Sequence, residues 1–146
     1  MTLRLMVAAD YDAVYALWTA APGMGLNEVD DSRVGIEKFL RRNPKTCFVA
    51  AQNGAIHGVI LAGNDGRRGY IYHAAVRESE QKFGIGTALT DAAMDALRAE
   101  GITKVALVCF AKNEVGNAFW ERRGFTVRDD LTYRNRALAE LTRLDI

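Results

Sequence analysis

The stretch Gln81-Lys82-Phe83-Gly84-Ile85-Gly86-Thr87 joins a β-rich segment, which ends at Val76, to a helical pattern. Downstream of it, apolar residues recur at helical spacing as far as Leu97, and Gly101 ends the pattern. The two glycines therefore lie where a helix begins, and the first backbone N–H groups of a helix are unpaired and attract anions. Two interpretations stay open: the stretch binds a phosphate, or glycine only permits a tight turn there.

Composition restricts the class of protein. The chain has 146 residues, of which 49% are hydrophobic, and this predicts a single domain over residues 1–146 with one core. A net charge of +1 argues against nucleic acid or an anionic membrane as a partner. Cys47 and Cys109 lie in apolar runs and indicate buried thiols, with neither a disulfide nor a metal site. No run has membrane-spanning length, so we expect a cytoplasmic protein.

The order of elements predicts an α/β fold with a mixed sheet. A first strand precedes two helices, for which Asp10 and Ser32 are the predicted N-caps. Asn53-Gly54 predicts a tight hairpin, and a second turn continues the antiparallel meander into the strand that ends at Val76. A strand after the central helix should run parallel to that one. A further helix over about Glu114 to Arg123 and a final hairpin, Phe125 to Val127 and Leu131 to Arg136, complete the pattern.

Two motifs together carry a resemblance to a known family. Gln81-x-x-Gly84-x-Gly86 follows Ala74-Ala75-Val76, and Asn113-x-x-Gly116-x-x-Phe119-Trp120-x-x-x-Gly124-Phe125 comes some thirty residues later. This combination resembles the GNAT superfamily of acyl-CoA-dependent N-acetyltransferases. The resemblance implies a GNAT-like fold: a central mixed sheet of about six to seven strands, about four flanking helices, and parallel strands splayed at a cofactor cleft.

The resemblance also implies acetyl-CoA as the acyl donor and cosubstrate. In such proteins the amides of the glycine turn hold the coenzyme A pyrophosphate, with the Thr87 hydroxyl as an extra donor. The main chain before the turn pairs with the pantetheine arm, and the asparagine of the second motif binds that arm from the other side. The cofactor-binding residues implied in this way are Ala74, Val76, Gln81, Lys82, Phe83, Gly84, Ile85, Gly86, Thr87 and Asn113.

The sequence departs from the familiar catalytic pattern. Trp120 occupies the position where many relatives have a tyrosine that protonates the thiolate, and an indole N–H cannot serve as that acid. Val108 stands where ribosomal-protein acetyltransferases have a glutamate base, which disfavours that substrate class. Tyr72 and Tyr70 match the histidines that relay a proton in arylalkylamine acetyltransferases. Strand alternation would put both tyrosines on the face of Ala74 and Val76, with His73 opposite, and packing aromatics remain the alternative.

The amine acceptor is expected beside the loop Gly23 to Asp31, whose Glu28, Asp30 and Asp31 can neutralise a cation or act as base. The two aspartates alternatively stabilise the start of the second helix, and Tyr133 is a further candidate for the cleft wall. The predicted activity is acetyl transfer to a primary amine of a small molecule or peptide by direct attack in a ternary complex, with Tyr72, Tyr70 and Glu28 as candidate catalytic residues.

Two other functions share some of these sequence features. A non-catalytic acyl-CoA-binding or sensor module is the alternative, because two familiar catalytic groups are replaced. A nucleotide binder is disfavoured because the turn lacks the Gly-Lys-Ser/Thr ending of a P-loop and the third glycine of a dinucleotide fingerprint. The architecture is also compatible with a homodimer formed through strand edges.

Overall fold

The computed structural model of the protein describes residues 1–144 and contains five strands and four α-helices within that range. In chain order the elements are β1 Thr2–Leu5, α1 Tyr11–Ala20, α2 Arg33–Arg42, β2 Phe48–Gln52, β3 Ala55–Asn64, β4 Gly69–Val76, α3 Ile85–Ala99, β5 Val105–Leu107 and α4 Glu114–Arg122. The strands form one sheet in the order β1-β2-β3-β4-β5. Neighbours are antiparallel except β4 and β5, which are parallel. The predicted mixed α/β fold is confirmed, with five strands rather than six to seven.

Local sequence signals explain the meander. Asn53 and Gly54 both have positive φ, 51° and 77°, as a tight hairpin between β2 and β3 requires. The Asn64 side chain accepts a hydrogen bond from the N–H of Gly66 (2.9 Å) and so shapes the next turn, into β4. Both predicted turns are therefore confirmed.

The sheet separates two layers of apolar packing. Helices α1 and α2 cover one face, where Trp18 and Ile36 are buried against Val59. Helix α3 covers the other face, where Leu89 is buried against Ile60. The helices thus bury both faces of the central strand β3, as the apolar spacing of their sequences predicts.

The two predicted helix caps have different outcomes. The Ser32 hydroxyl accepts a hydrogen bond from the N–H of Gly35 (3.0 Å) and caps α2 as predicted. Asp10 does not cap α1 with its side chain. Its carboxylate instead accepts hydrogen bonds from the Arg4 guanidinium (2.8 and 2.9 Å) and from the N–H of Val7 (2.9 Å). It stabilises the turn before α1 rather than the first turn of that helix.

The predicted C-terminal hairpin is wrong. Residues 125–136 contain no strand, and Leu131 in that segment is 61% exposed. The neighbouring edge strand β5 has only three residues, so it offers a short ladder for further strands. The C-terminal segment instead runs to the loop before α2, where Arg143 forms an isolated antiparallel bridge with Asn27.

Strand β4 contains a bulge that decides which side chains share a face. Leu61 pairs with His73, whereas the next residue of β3, Ala62, pairs with Ile71. Strand β4 therefore holds one extra residue, Tyr72, and the alternation of its side chains is reset there. Ile71, Ala74 and Val76 all pack in the layer beneath α3. In a regular strand, Ile71 would face the opposite side from Ala74 and Val76.

Candidate active site

The sheet splits at the parallel pair. Strands β4 and β5 are paired only from Gly69 to Ile71 on β4, and the chain beyond that point borders an open cleft of about 2050 Å³. One wall is the second half of β4, from Tyr72 to Val76, and another is formed by the start of α4. The glycine turn closes the end of the cleft nearest α3. A cleft at the carboxyl ends of parallel strands is a common place for a ligand.

Gly84 and Gly86 have different structural roles in the turn. Gly84 is the N-cap of α3 in a left-handed conformation (φ 78°), and a Cβ placed there would meet nothing within 4 Å. A Cβ on Gly86 would lie 3.3 Å from the Phe119 ring, so this glycine allows α4 to pack closely on α3. The sequence left two interpretations of the turn, phosphate binding and a purely conformational need for glycine, and each of them fits one glycine. Gly84 borders open space, whereas Gly86 serves packing.

The helix start supplies free donors. Because α3 begins at Ile85 and its first i to i−4 hydrogen bond runs from the N–H of Ala88 to the Gly84 carbonyl, the amides of Ile85, Gly86 and Thr87 precede the helical ladder. The Ile85 side chain is buried in the core, so only its main chain can contact a ligand. The arrangement suits an anion, since the positive end of the helix dipole adds to these donors.

The residues before the helix are exposed. Lys82 and Phe83 face solvent, with Phe83 76% exposed, and neither belongs to the cleft wall. Gln81 lies at the cleft, and its side-chain amide donates a hydrogen bond to the Val76 carbonyl (3.2 Å). Ala74 and Val76 lie in register with Ile60 and Gly58 of β3 on one side of β4, and the cleft borders the other side. The Val76 carbonyl, which is one of the main-chain groups predicted to bind the cofactor arm, is therefore already hydrogen-bonded to Gln81.

Asn113 caps α4. Its Oδ1 accepts a hydrogen bond from the N–H of Gly116 (2.9 Å), and a Cβ on Gly116 would lie 2.5 Å from the asparagine amide nitrogen. Burial raises the pKa of the nearby Cys109 thiol, and the Asn113 side chain lowers it by a smaller amount. Asn113 borders the cleft, and its role toward a cofactor stays a prediction.

Tyr70 and Tyr72 lie together, but not on the predicted face. Their ring centroids are 4.7 Å apart, and the Phe39 ring of α2 meets Tyr72 edge-on at 5.4 Å. Both tyrosines therefore face the layer of α1 and α2, opposite to Ala74 and Val76. The sequence prediction assumed an unbroken alternation, which the bulge at Tyr72 interrupts. Burial raises the pKa of both phenols.

His73 and Asp31 form a buried pair that the sequence did not reveal. His73 Nε2 lies 2.7 Å from Asp31 Oδ1, and both side chains are at least nine-tenths buried. The other carboxylate oxygen accepts a hydrogen bond from the N–H of Asn27 (2.9 Å), and the Trp18 ring packs against the imidazole. The sequence leaves two roles open for Asp31, a charge or base beside the acceptor and a residue that stabilises the start of α2; the side chain that caps α2 is that of Ser32. The pair fastens the loop before α2 to the wall of the cleft.

Within residues 1–144, His73 Nδ1 is buried without a hydrogen-bond partner. The only signal in the sequence was an acidic residue, Asp31, in the loop predicted to lie beside the acceptor. The direction of the His73 side chain could not be predicted, because it depends on the bulge in β4.

Glu28 lies outside the cleft wall that contains Tyr70 and Tyr72. Its side chain is exposed and accepts a hydrogen bond from the N–H of Thr142 (2.5 Å), while the Leu26 carbonyl accepts one from the N–H of Leu144 (2.9 Å). Glu28 is not among the described residues that border the cleft. It holds the C-terminal segment, and its predicted catalytic role gains no support from this position. In residues 1–144 no cluster of three or more His, Cys, Asp or Glu side chains is arranged to hold a metal ion.

The sheet splits between two parallel strands, and the glycine turn and helix start at the split suit a long ligand that carries phosphate, such as an acyl-CoA. Residues 11–125 match the Acetyltransferase (GNAT) family. The chain belongs to this family, and it is an acyltransferase.

Relatives and solved structures agree with this assignment. An acetyltransferase of Pectobacterium atrosepticum is 29% identical over 140 residues, which cover 96% of this chain and 98% of the relative. Ard1 of Thermoplasma volcanium shares the fold with a TM-score of 0.78 at 23% identity, covering 87% of this chain and 83% of that one. The PaiA N-acetyltransferase of Thermoplasma acidophilum, solved in complex with coenzyme A, has a TM-score of 0.74 at 16% identity, covering 88% of this chain and 92% of that one.

None of the helices within residues 1–144 has the length and apolar character needed to cross a membrane.

Proposed function

We propose that the protein transfers an acetyl group from acetyl-CoA to a primary amine by direct attack in a ternary complex. The observation that carries this proposal is the cleft between β4 and β5, which ends at the free amides of the α3 start. A phosphate at that helix start and a thioester beside β4 would place the acyl carbon within the cleft. Coenzyme A in the complex of the Thermoplasma PaiA protein supports this choice of donor.

The cofactor is held chiefly by main-chain groups. The amides of Ile85, Gly86 and Thr87 bind the pyrophosphate, and open space at Gly84 lets the phosphates approach. Exposed Lys82 adds mobile positive charge at the mouth of the turn. Gln81, Phe83 and the Thr87 hydroxyl complete the predicted pyrophosphate turn.

The remaining cofactor contacts concern the pantetheine arm. We propose that the main chain of Ala74 and Val76 pairs with it along the free edge of β4, and that the Asn113 amide contacts it from α4. Because Gln81 donates to the Val76 carbonyl, binding of the arm there requires the glutamine side chain to move.

The chemical step forms a C–N bond and breaks the thioester C–S bond. The neutral amine attacks the carbonyl, and backbone N–H groups near Ala75 and Val76 stabilise the oxyanion. The electron pair of the C–S bond leaves with coenzyme A as a thiolate. A thiol of pKa about 8.5 is a tolerable leaving group without an acid, and this fits the presence of Trp120 in the cleft.

The attacking amine must lose a proton. A lysine-like amine of pKa about 10.4 is less than roughly 0.1% neutral at pH 7, so assistance is most valuable for such substrates. Burial raises the pKa of Tyr72, and the Asp30 carboxylate raises it further, so the phenol stays protonated at neutral pH. Tyr72, with Tyr70 beside it, therefore acts as a hydroxyl that orders water and relays the proton to solvent, to which Tyr72 is exposed.

A thiol-release assay with acetyl-CoA and a broad amine panel tests the proposal. Release that depends on one class of amine supports acetyl transfer, and no release with any amine contradicts it. Tight binding of coenzyme A without release would favour the acyl-CoA-binding or sensor alternative, which Trp120 and Val108 motivate. A cytoplasmic location and a single domain over residues 1–146 remain predictions.

A further inference from the structure

The cleft extends through the split in the sheet to both of its faces. Its walls include the start of α3 on one face and the helix α1 on the other. On β4, Ala74 and Val76 pack in the α3 layer. Ala75 packs in the α1 layer, and the His73 ring meets Trp18 of α1 edge-on. Since the pyrophosphate is proposed at the α3 start, the side of the cleft that faces α1 is left for the acceptor.

The α1 side of the cleft is apolar. Exposed Ala16 and Ala20 of α1 border it, and so does partly buried Met24 of the following loop. Phe110, which follows β5, packs against the same loop, because a Cβ on Gly23 would lie 3.6 Å from its ring. We call Ala16, Ala20, Met24 and Phe110 the apolar wall. A predominantly apolar lining with few polar groups is typical of a site for a small organic molecule.

The charged groups at the cleft do not favour a second cation on the substrate. Within residues 1–144 the one carboxylate that borders the cleft is Glu78, which lies between β4 and the glycine turn. Arg77 and Arg122 border the cleft as well. The Arg143 guanidinium lies 4.8 Å from the centre of the Phe110 ring. These positive charges attract phosphates and repel an ammonium ion.

The Asp31 carboxylate lies behind β4 and is already engaged. Its side chain is 5% exposed, Oδ1 lies 2.7 Å from His73 Nε2, and Oδ2 accepts a hydrogen bond from the N–H of Asn27 (2.9 Å). Apart from Glu78, the described chain therefore offers a protonated amine no carboxylate at the cleft. An apolar surrounding disfavours the charged form of an amine and so lowers its pKa. The wall thus favours the neutral, nucleophilic form.

We propose that the apolar wall selects monoamines with an uncharged apolar body and disfavours acceptors that carry a second positive group, such as diamines. This inference rests on the proposed acetyl transfer and specifies its acceptor. The amine loses its proton as the wall desolvates it, and the proton passes to solvent through the water that Tyr72 orders. This assistance from desolvation accords with Trp120 and Val108, which border the cleft in place of two familiar catalytic groups.

Primary amines with a common six-carbon chain test the selection. Hexylamine, 6-aminohexanol and 1,6-diaminohexane present the same reacting group and differ only at the far end. In the wild type we expect kcat/KM to fall in that order, with about tenfold or more between hexylamine and the diamine, because burial of an unpaired ammonium is costly. From propylamine to hexylamine, each methylene that reaches the wall should raise kcat/KM about threefold to fourfold. Equal use of hexylamine and the diamine, or no dependence on chain length, would overturn the proposal while leaving acetyl transfer intact.

Variants locate the effect. Ala16→Asp adds a carboxylate to the wall and should lower the preference for hexylamine over the diamine about fivefold or more. Thr19→Asp adds the same charge to α1 at an exposed position that does not border the cleft, and it should keep the wild-type preference. Met24→Gln should raise the KM for hexylamine about fivefold, whereas Met24→Leu should retain it. The KM for acetyl-CoA should stay unchanged throughout. A preference that is unaltered in both Ala16→Asp and Met24→Gln contradicts the wall.

Direct binding separates the two proposals. N-hexylacetamide and N-(6-aminohexyl)acetamide are the products expected from hexylamine and the diamine. Calorimetric titration of each into the coenzyme A complex reports on the wall even when no acetyl group is transferred. Tighter binding of N-hexylacetamide that is lost in Met24→Gln, without turnover of any amine, would uphold the wall and contradict the proposed reaction. Equal binding of the two amides would contradict the wall.

Discussion

Replacement of Gly84 by glutamate tests the anion site most directly. Gly84 has a φ of 78°, and a Cβ there would meet nothing within 4 Å, so the new side chain causes no clash. The left-handed backbone costs a residue other than glycine about 1–2 kcal/mol. Gly101, at the other end of α3, has a φ of 84° and equally open space, so Gly101→Glu carries the same backbone cost far from the glycine turn. The two variants form a matched pair.

The expected loss of coenzyme A affinity follows from charge. A carboxylate about 6 Å from one phosphate charge is repelled by about 3 kcal/mol at an effective dielectric constant of about 20. With a Debye length of about 8 Å at physiological salt, roughly half of that remains. Because the pyrophosphate carries two charges, we expect a penalty of about 1.4–2.8 kcal/mol, or about tenfold to a hundredfold in Kd.

Calorimetry with coenzyme A and urea unfolding measure the two effects separately. Gly84→Glu should weaken binding by the factor given above, whereas Gly101→Glu should bind as the wild type does. Both should lose stability, with Gly101→Glu losing slightly more, because a negative charge is unfavourable at the end of a helix and favourable at its start. Unchanged binding in Gly84→Glu, or equal weakening in both variants, would refute the assignment of the phosphate to this helix start.

Three further predictions concern the walls of the cleft and the turn before α1. Tyr72→Phe keeps the ring but removes the proposed relay, so kcat for an amine of high pKa should fall about tenfold with the KM for acetyl-CoA unchanged; an unchanged kcat would exclude the hydroxyl from proton transfer. Asp31→Ala removes the partner of His73 and should lower the free energy of unfolding by about 1–3 kcal/mol, measured by urea denaturation; an unaltered midpoint would mean that the pair does not stabilise the fold. The Arg4 guanidinium lowers the pKa of Asp10, so their pair should stabilise the native state above pH of about 4 and be lost as the pH falls through the lowered pKa. Unfolding of Asp10→Asn and the wild type should therefore converge in acid, and a constant difference across pH would contradict this origin.

Much of the fold could be predicted because its signals are local. Asn53-Gly54 specifies a tight turn through two positive φ angles, and apolar spacing specifies the buried faces of the helices. The parallel arrangement of β4 and β5 follows from the long helix between them. The glycine turn at the start of α3 is equally local, since glycine there is needed for a left-handed residue that leaves donors open.

The sequence by itself determined the fold class, the order of elements in the meander and the position of the glycine turn, because each depends on contacts between residues close in the chain. Only the tertiary structure decided the faces of β4. One extra residue at Tyr72 reverses the alternation, and a bulge depends on the register against β3 rather than on local propensity. The same long-range register placed His73 against Asp31 and the tyrosines on the layer of α1 and α2. The hairpin predicted after α4 failed for a related reason: alternation of residues makes a strand only where a neighbouring edge is long enough to pair with it, and β5 is three residues long.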